Sequence, residues 1–277
     1  MARYTTKELS RRTWPDYKRF FSQGNGWDHC GCTAYQGFHA PRDVRLWADK
    51  RDWNLNVKCD LVERRLAHGI LVYDGTEPIG WCQFGPKGEL PIRGNRRPGR
   101  LFDPGEERIW KVTCFCTHPK YRDKGIAGIA LRAALGAIRR KGGGLIEAYP
   151  FARPKGGPET DERLARIKEW NSTRTKLIKA HGRFSEEVER HLRAREPLTE
   201  VVDGVGPVNA IYVNAKWVPH CGTVAMFERE GFKAVSILGV TNEFTARAAL
   251  VALEKRSQRA APSRESRPSR IVMQKTI

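Results

Sequence analysis

The segment "RIWKVTCFCTHPKYRDKGIAGIALRAAL", Arg108–Leu135, decides the fold predicted for this chain. Its first eleven residues are rich in β-branched and aromatic side chains, which predicts a strand over Arg108–His118. A helix follows, because apolar residues recur at three- and four-residue steps over Ile126–Ile138 and the glycines Gly142–Gly144 end the pattern. The run "LIEAYPF" at Leu145–Phe151 predicts a second strand. The segment is therefore a strand–helix–strand unit.

The turn between this strand and this helix favours a bound anion. The start of a helix leaves about four backbone N–H groups without partners, and the helix dipole makes the same place favourable for negative charge. Gly125 and Ala127 are small, so a ligand can approach the backbone closely. Two interpretations stand at this point: a phosphate cradle, or an ordinary helix start with solvated Arg and Lys side chains.

The composition limits the class of protein. The chain has 277 residues, 40% of them hydrophobic, and eight tryptophans, which suits one large domain or one domain with a sizeable insertion. It has no long apolar run of the kind that spans a bilayer, and "MARYTTKELSRRTW" at its start lacks the apolar core of a signal peptide. Seven cysteines in such a chain indicate reduced thiols, so we expect a cytoplasmic protein and no membrane partner.

The formal net charge is +19, which raises the question of a polyanionic partner. The basic residues are spread along the chain without a compact Lys/Arg block, although the last residues of the sequence are also rich in Lys and Arg. The pattern favours a generally basic, anion-friendly exterior over a specific nucleic-acid-binding site.

The chain before the central segment predicts two helices and a hairpin. Residues 1–22 carry aromatic residues at helical spacing, and residues 54–68 show a second apolar stripe. "GILVYDGTEPIGWCQFG" at Gly69–Gly85 predicts a β-hairpin that turns at Asp74-Gly75.

Residues 152–219 change character and predict a helical arm. Leu164–Ile178 marks a helix of about twenty residues, Ser185–Arg195 marks a shorter one, and a loop with Asp203-Gly204 follows. The apolar stripe of the arm is typical of local packing, with a lid or a homodimer contact as the alternatives. The remaining predicted elements are a short helix at Cys221–Phe232, a strand at Lys233–Val240, a helix at Thr245–Arg256 and a closing strand at Arg270–Ile277.

Four motifs, in this order, resemble the GNAT superfamily of N-acetyltransferases. They are the hairpin "ILVYDGTEPIGWCQF", the strand and turn "VTCFCTHPKYRDKGIA" with its Arg-x-x-Gly-x-Ala pattern, the strand "LIEAYP" and the helix end "MFEREGF". Together they cover about half of the chain. The resemblance implies an α/β (α+β) fold with a mixed, mostly antiparallel central sheet flanked by helices. It implies a single acetyltransferase domain over residues 1–277, with a helical insertion at about 152–219 and a basic flexible segment at about 257–269.

The same resemblance implies acetyl-CoA as the co-substrate. Its pyrophosphate would lie on the backbone amides of Arg122, Asp123, Lys124, Gly125, Ile126 and Ala127. Its pantetheine arm would pair with the main chain of Phe115 and Thr117, as an added strand pairs with a sheet edge.

The implied reaction is direct attack of a primary amine on the thioester, which needs a proton acceptor for the amine. Family members often place a Tyr hydroxyl in the helix of "MFEREGF", where this chain has Phe227, so the usual acid is missing or relocated. We take Glu147 as the candidate base. Tyr149, Thr223 and Cys221 are the candidates for the acid, and His118 is an alternative base.

No metal is expected. Cys30-x-Cys32 lies next to His29, but structural zinc needs four ligands from paired clusters. The Cys-x-Cys instead resembles one found near the start of a GNAT subgroup. Cys114 and Cys116 alternate along the predicted strand, so we expect both to pack inside as small apolar residues.

The resemblance thus implies a transferase that acetylates an unidentified amine on a small molecule or a protein. Two alternatives stay open. One is an acetyltransferase acting on tRNA or another nucleic-acid-linked amine, which the spread of charge does not favour. The other is a non-catalytic acyl-CoA-binding protein, motivated by Phe227.

Overall fold

A computed structural model describes residues 4–23, 30–41, 43–44, 46–91, 108–153, 158–182, 185–194, 199–210, 220–237 and 270–277. These residues form two compact units. The first unit comprises Met1–Ala148 with His220–Gly222 and Gln274–Ile277, and the second comprises Tyr149–Pro219 with Thr223–Met273. The predicted helix at Thr245–Arg256 and the predicted flexible segment at 257–269 lie outside the described residues.

The sheet is mixed and mostly antiparallel, as the family resemblance implied. Its strands are β1 (Thr5–Glu8), β2 (His68–Asp74), β3 (Glu77–Pro86), β4 (Ile109–Thr117), β5 (Leu145–Ala148), β8 (Lys233–Ile237) and β9 (Ile271–Thr276). The order across the sheet is β1-β2-β3-β4-β5-β9-β8. Strands β1 to β4 are antiparallel neighbours, whereas β5 runs parallel to β4.

Helices cover both faces of the sheet in the first unit. They are α1 (Trp14–Phe20), α2 (Trp47–Glu63) and α3 (Ile126–Arg140). On one face, Tyr17 and Phe20 of α1 are fully buried with Trp81 of β3, and the rings of Tyr17 and Trp81 lie 4.8 Å apart in an edge-to-face arrangement. On the other face, a Cβ at Gly80 would overlap Ile126, so the start of α3 packs directly on β3.

The first 63 residues depart from the predicted helices at their ends. The opening is not helical throughout, because Thr5–Glu8 pairs with Ile70–Tyr73 of β2 and gains ladder hydrogen bonds that outweigh local propensity. Helix α2 ends at Glu63 rather than near His68, since Arg65 adopts a left-handed φ of 59° and His68 begins β2. The hairpin at Asp74-Gly75 is confirmed, with Gly75 at a φ of +60°.

The second unit holds the helical arm and a small hairpin. Its helices are α4 (Pro158–His181), α5 (Glu186–Arg193) and α6 (Val224–Glu228), and its hairpin strands are β6 (Thr199–Val202) and β7 (Gly206–Asn209). The rings of Trp170 and His191 stack at 4.6 Å and join α4 to α5. The hairpin replaces the loop predicted around Asp203-Gly204, because Gly204 and Gly206 adopt the positive φ values that a tight turn requires.

None of the helices within the described residues is long and apolar enough to cross a membrane.

Candidate active site

Over its last three residues, Phe115–Thr117, strand β4 has no described partner strand on one side, and we name this side the open edge. Along its length the strand pairs with β3, but its described pairing with β5 covers only Ile109–Val112. A β-bulge separates the two parts, because Thr113 is an extra residue between the pairs Phe84–Val112 and Gln83–Cys114. The Thr113 hydroxyl donates to Gln83 Oε1 at 3.1 Å and holds the bulge in place.

The main-chain groups of Phe115 and Thr117 point towards this open edge. In an antiparallel pair, successive residues direct their N–H groups to opposite sides of the strand. His118 N–H donates to Ile79 O of β3 at 2.9 Å, so Thr117 and Phe115 face the other way. Phe115 N–H donates to the carbonyl of His220 at 2.5 Å, which confirms that this N–H faces away from β3.

The chain turns from β4 into α3 through two unusual conformations. Residues Pro119–Tyr121 form one 3-10 turn that His118 caps, with its Nδ1 accepting from Lys120 N–H at 3.3 Å. Asp123 then adopts a φ of 60° and Gly125, the N-cap of α3, a φ of 76°. The role of His118 in this structure is thus to cap the turn.

The mouth of α3 presents backbone donors to open space. Ile129 N–H donates to Gly125 O at 3.1 Å, and the amides before it, on Ile126, Ala127 and Gly128, precede the first intrahelical bond of this kind. No atom of the described residues lies within 4 Å of the position that a Cβ on Gly125 would take. A ligand can therefore reach these amides, and the helix dipole favours one with negative charge.

Side chains brace this turn against the hairpin. Tyr121 donates its hydroxyl to Asp74 Oδ2 at 3.0 Å, and this hydrogen bond raises the pKa of Tyr121. The ammonium of Lys124 lies 5.1 Å from the centroid of the Tyr121 ring. These side-chain contacts brace the turn in addition to its own backbone hydrogen bonds, in which Arg122 N–H donates to Pro119 O at 3.3 Å.

Of the candidates Glu147, Tyr149 and Thr223, Glu147 belongs to the same unit as this edge. It lies on β5 beside Lys111 of β4, one position before the described pairing with β4 ends at Ala148. Its carboxylate accepts from Gln274 Nε2 at 3.2 Å. The side chain is therefore already engaged, as a structural carboxylate would be.

Tyr149 and Thr223 belong to the second unit. Tyr149 is 5% exposed. Thr223 is the N-cap of α6 and forms a parallel β-bridge with Phe151, although its own side chain makes no capping hydrogen bond within the described residues. Phe227 of α6 is fully buried against Phe232, so the position of the usual hydroxyl is part of an apolar core.

Two side chains near the edge were not predicted from the sequence. His220 places its carbonyl on Phe115, and its Nε2 lies 3.0 Å from the hydroxyl of Tyr35, which is part of the 3-10 helix Ala34–Gln36. The sequence signal was the position of His220 directly before Cys221, which was itself a candidate. Cys221 is 2% exposed.

Buried thiols back the open part of β4 on the face covered by α1 and α2. Cys114 and Cys116 are buried there, as predicted, and Cys32 Sγ lies 3.2 Å from Cys114 Sγ. Burial is the main cause that raises the pKa of Cys32, and the thiols of Cys30 and Cys114 also have raised pKa values. Among the described residues no three His, Cys, Asp or Glu side chains are grouped so that they could hold a metal ion.

Residues 27–153 match the sequence model of the Acetyltransferase (GNAT) family. This range contains the hairpin, β4, the turn and α3. No curated protein matches the chain.

Solved structures with a similar chain path include several acetyltransferases. The ribosomal-protein-alanine N-acetyltransferase of Brucella melitensis is 9% identical, with 99% of each chain covered and a TM-score of 0.41. The protein yncA of Salmonella typhimurium, solved with its cofactor acetyl-CoA, is 11% identical, with 99% of this chain and 93% of that chain covered and a TM-score of 0.42. Likenesses as distant as these carry no argument about the substrate of this protein.

Proposed function

Since residues 27–153 of this chain belong to the GNAT family of acetyltransferases, we propose that the protein transfers an acetyl group from acetyl-CoA to a primary amine. The observation that carries this proposal is the open edge of β4, which leads within eight residues into the unfilled mouth of α3. One continuous stretch of backbone thus offers donors first for an extended amide-containing arm and then for a diphosphate.

The proposed binding mode uses this chain's own groups. The amides from Asp123 to Ala127 would hold the diphosphate, as fixed donors that need no side-chain reorganisation, whereas the amide of Arg122, which the sequence also predicted, donates to Pro119 O at 3.3 Å. The main chain of Thr117 and the carbonyl of Phe115 would pair with the pantetheine arm, while Phe115 N–H keeps its bond to His220 O. The bound coenzyme supplies the activated acetyl group, and the chain's part is to orient the thioester and to accept the proton of the attacking amine.

The acceptor is an amine on a neutral or anionic small molecule or on a protein. A net charge of +19 disfavours a strongly cationic acceptor, because long-range repulsion slows its approach. A panel of such amines, assayed by release of free CoA thiol, identifies the class. An acceptor attached to RNA is distinguished by binding that weakens steeply with salt.

The backbone amides at the mouth of α3 that would hold the diphosphate are named the cradle. Its first test compares two glycines at opposite ends of α3. Gly125 and Gly142 both have positive φ, and neither has a described atom within 4 Å of its Cβ position. Gly125→Trp fills the space before the helix mouth, whereas Gly142→Trp imposes the same backbone strain at the other end. We expect Gly125→Trp to weaken CoA binding by at least about 100-fold, equal to about 2.7 kcal/mol, while both variants unfold cooperatively.

Calorimetric titration with CoA decides between the outcomes. Equal affinity of the two variants for CoA would contradict the cradle. Gly142→Trp should bind CoA as the native protein does.

The complete burial of Phe227 favours one alternative, an acyl-CoA-binding protein without turnover. Under this alternative the native protein binds CoA tightly but releases no thiol from acetyl-CoA with any amine in the panel. Thiol release that depends on an added amine excludes it.

A further inference from the structure

We propose that His220 accepts the proton of the attacking amine and that Tyr35 positions its imidazole; this inference rests on the proposed function. It answers the question left by Phe227, which has no proton to exchange and lies in an apolar core. His220, Tyr35 and the open edge of β4 all belong to the first unit.

His220 lies beside the Phe115 end of the open edge of β4. The helix mouth that would hold the diphosphate follows Thr117, so an arm paired with the edge runs from the mouth back past Thr117 towards Phe115. The thioester end of the arm therefore lies on the Phe115 side. The carbonyl of His220 is fixed at this end by its hydrogen bond from Phe115 N–H, at 2.5 Å.

The imidazole of His220 lies beside the hydroxyl of Tyr35. Its Nε2 lies 3.0 Å from the Tyr35 hydroxyl, and the two ring centroids are 6.0 Å apart. When Nε2–H donates to the Tyr35 oxygen, Nδ1 carries the lone pair that a base needs. Both side chains are partly exposed, so water can return protons to the ring between turnovers.

Thiols adjoin Phe115 and His220 in the sequence. Cys221 follows His220 in the chain, and Cys116 follows Phe115 on β4, and both are buried. His220 is the partly exposed member of this group, so its imidazole is the group that an incoming amine can reach.

The step balances without any further reactant. The amine nitrogen forms a bond to the thioester carbonyl carbon, and the C–S bond breaks. The proton on nitrogen moves to Nδ1 of His220. The sulfur leaves as a thiolate and takes a proton from solvent, while the imidazolium returns its proton to solvent.

The test uses His220→Gln and Tyr35→Phe in the full chain, assayed by thiol release at saturating acetyl-CoA over pH 5.5–9. Both substitutions leave the main-chain bond from Phe115 to residue 220 intact. We expect His220→Gln to lower kcat by about 100- to 10,000-fold and to remove the rising limb of kcat/KM with increasing pH. CoA affinity should stay within about threefold, since the cradle is untouched.

Tyr35→Phe removes one oxygen and should lower kcat by about tenfold while moving the rising limb of the pH profile, because the ring loses its fixed orientation. A purely structural tyrosine would change stability and leave the limb in place. Added imidazole should restore part of the activity of a His220→Ala variant.

The outcomes separate this proposal from the proposed function. If the native protein turns over and His220→Gln keeps both its rate and its rising limb, His220 is not the base and the acetyltransferase assignment stands. If the native protein releases no thiol, the proposed function fails first. Should His220→Gln fail to fold, Tyr35→Phe decides, since an unchanged pH profile in that variant contradicts the proposal.

Discussion

The two halves of β4 differ in how their edges are used. Trp110–Val112 pairs with strands on both sides, whereas Phe115–Thr117 pairs with β3 on one side and receives the carbonyl of His220 on the other. The same strand therefore serves the sheet in its first half and offers donors and acceptors in its second. The bulge at Thr113 lies where the two uses meet.

The two halves are also supported differently. The paired half is closed by backbone contacts, since Leu145 N–H donates to Arg108 O at 2.9 Å and Gly144 exchanges hydrogen bonds with Ile277. The open half is held from its two faces, by Ile126 on one and by the buried thiols on the other. An edge that lacks a described partner strand thus depends more on face packing.

The largest loss of stability should come from adding a side chain at Gly144, beside the paired half of β4. A Cβ on Gly144 would overlap the backbone carbonyl of Arg108, and its φ of +129° is unfavourable for any other residue. We expect Gly144→Ala to lower the free energy of unfolding by about 3 kcal/mol or more, since overpacking and backbone strain add. Urea denaturation measures it.

Gly142→Ala is the matched control, because it shares the positive φ but meets no described atom within 4 Å. It should cost about 1 kcal/mol. Equal losses in the two variants would mean that backbone strain alone, and not contact with β4, sets the cost.

The second effect is a pH-dependent change in stability that comes from Lys58. Its ammonium donates to Gln36 Oε1 and to Cys32 O, next to the buried thiols that back the open half of β4. Burial lowers the pKa of Lys58 to about 8. Between this value and an unfolded pKa of about 10.4, the unfolded state holds a proton that the folded state has lost, so the Lys58 contribution to stability rises with pH. The gain is at most about 3 kcal/mol.

Raised thiol pKa values act in the opposite direction above about pH 9, because the folded state then keeps protons that the unfolded state loses. The measurement is therefore the difference in free energy of unfolding between the native protein and Lys58→Met. That difference should move in favour of the native protein from pH 8 to 10.5. A difference that is flat with pH would show that Lys58 is not desolvated.

The smallest loss of stability should come from a substitution beside Phe115–Thr117, the open half of β4. Gly80 lies opposite Thr117, and a Cβ there would overlap Ile126 at the start of α3. We expect Gly80→Ala to destabilise the protein by about 1–3 kcal/mol and to weaken CoA binding as well, because the helix mouth must shift.

Gly136→Ala serves as its control on α3, where the new Cβ makes only an ordinary contact with Arg140. This variant should be more stable than the native protein by about 0.5–1 kcal/mol and should bind CoA normally. If Gly80→Ala is destabilised but binds CoA normally, CoA binding does not depend on the packing of Ile126 against Gly80.

Local pattern predicted the elements around the cradle because their signals lie within a few residues. Asp74-Gly75 between two apolar runs predicted the hairpin, and the helical spacing after Gly125 predicted α3. The same reasoning failed at Thr5–Glu8, where the partner strand lies more than sixty residues away. The site divided in the same way: Gly125 could be identified from its own neighbours, whereas Tyr35 and His220 are 185 residues apart in the chain.

By itself the sequence determined the strand–turn–helix that carries the cradle, since hydrophobic period, glycine and helix-start chemistry act over short distances. Only the tertiary structure decided where the second edge of β4 stays open, and which side chains meet there. Strand pairing and side-chain contact between distant segments depend on how the whole chain packs, and no local pattern records that choice.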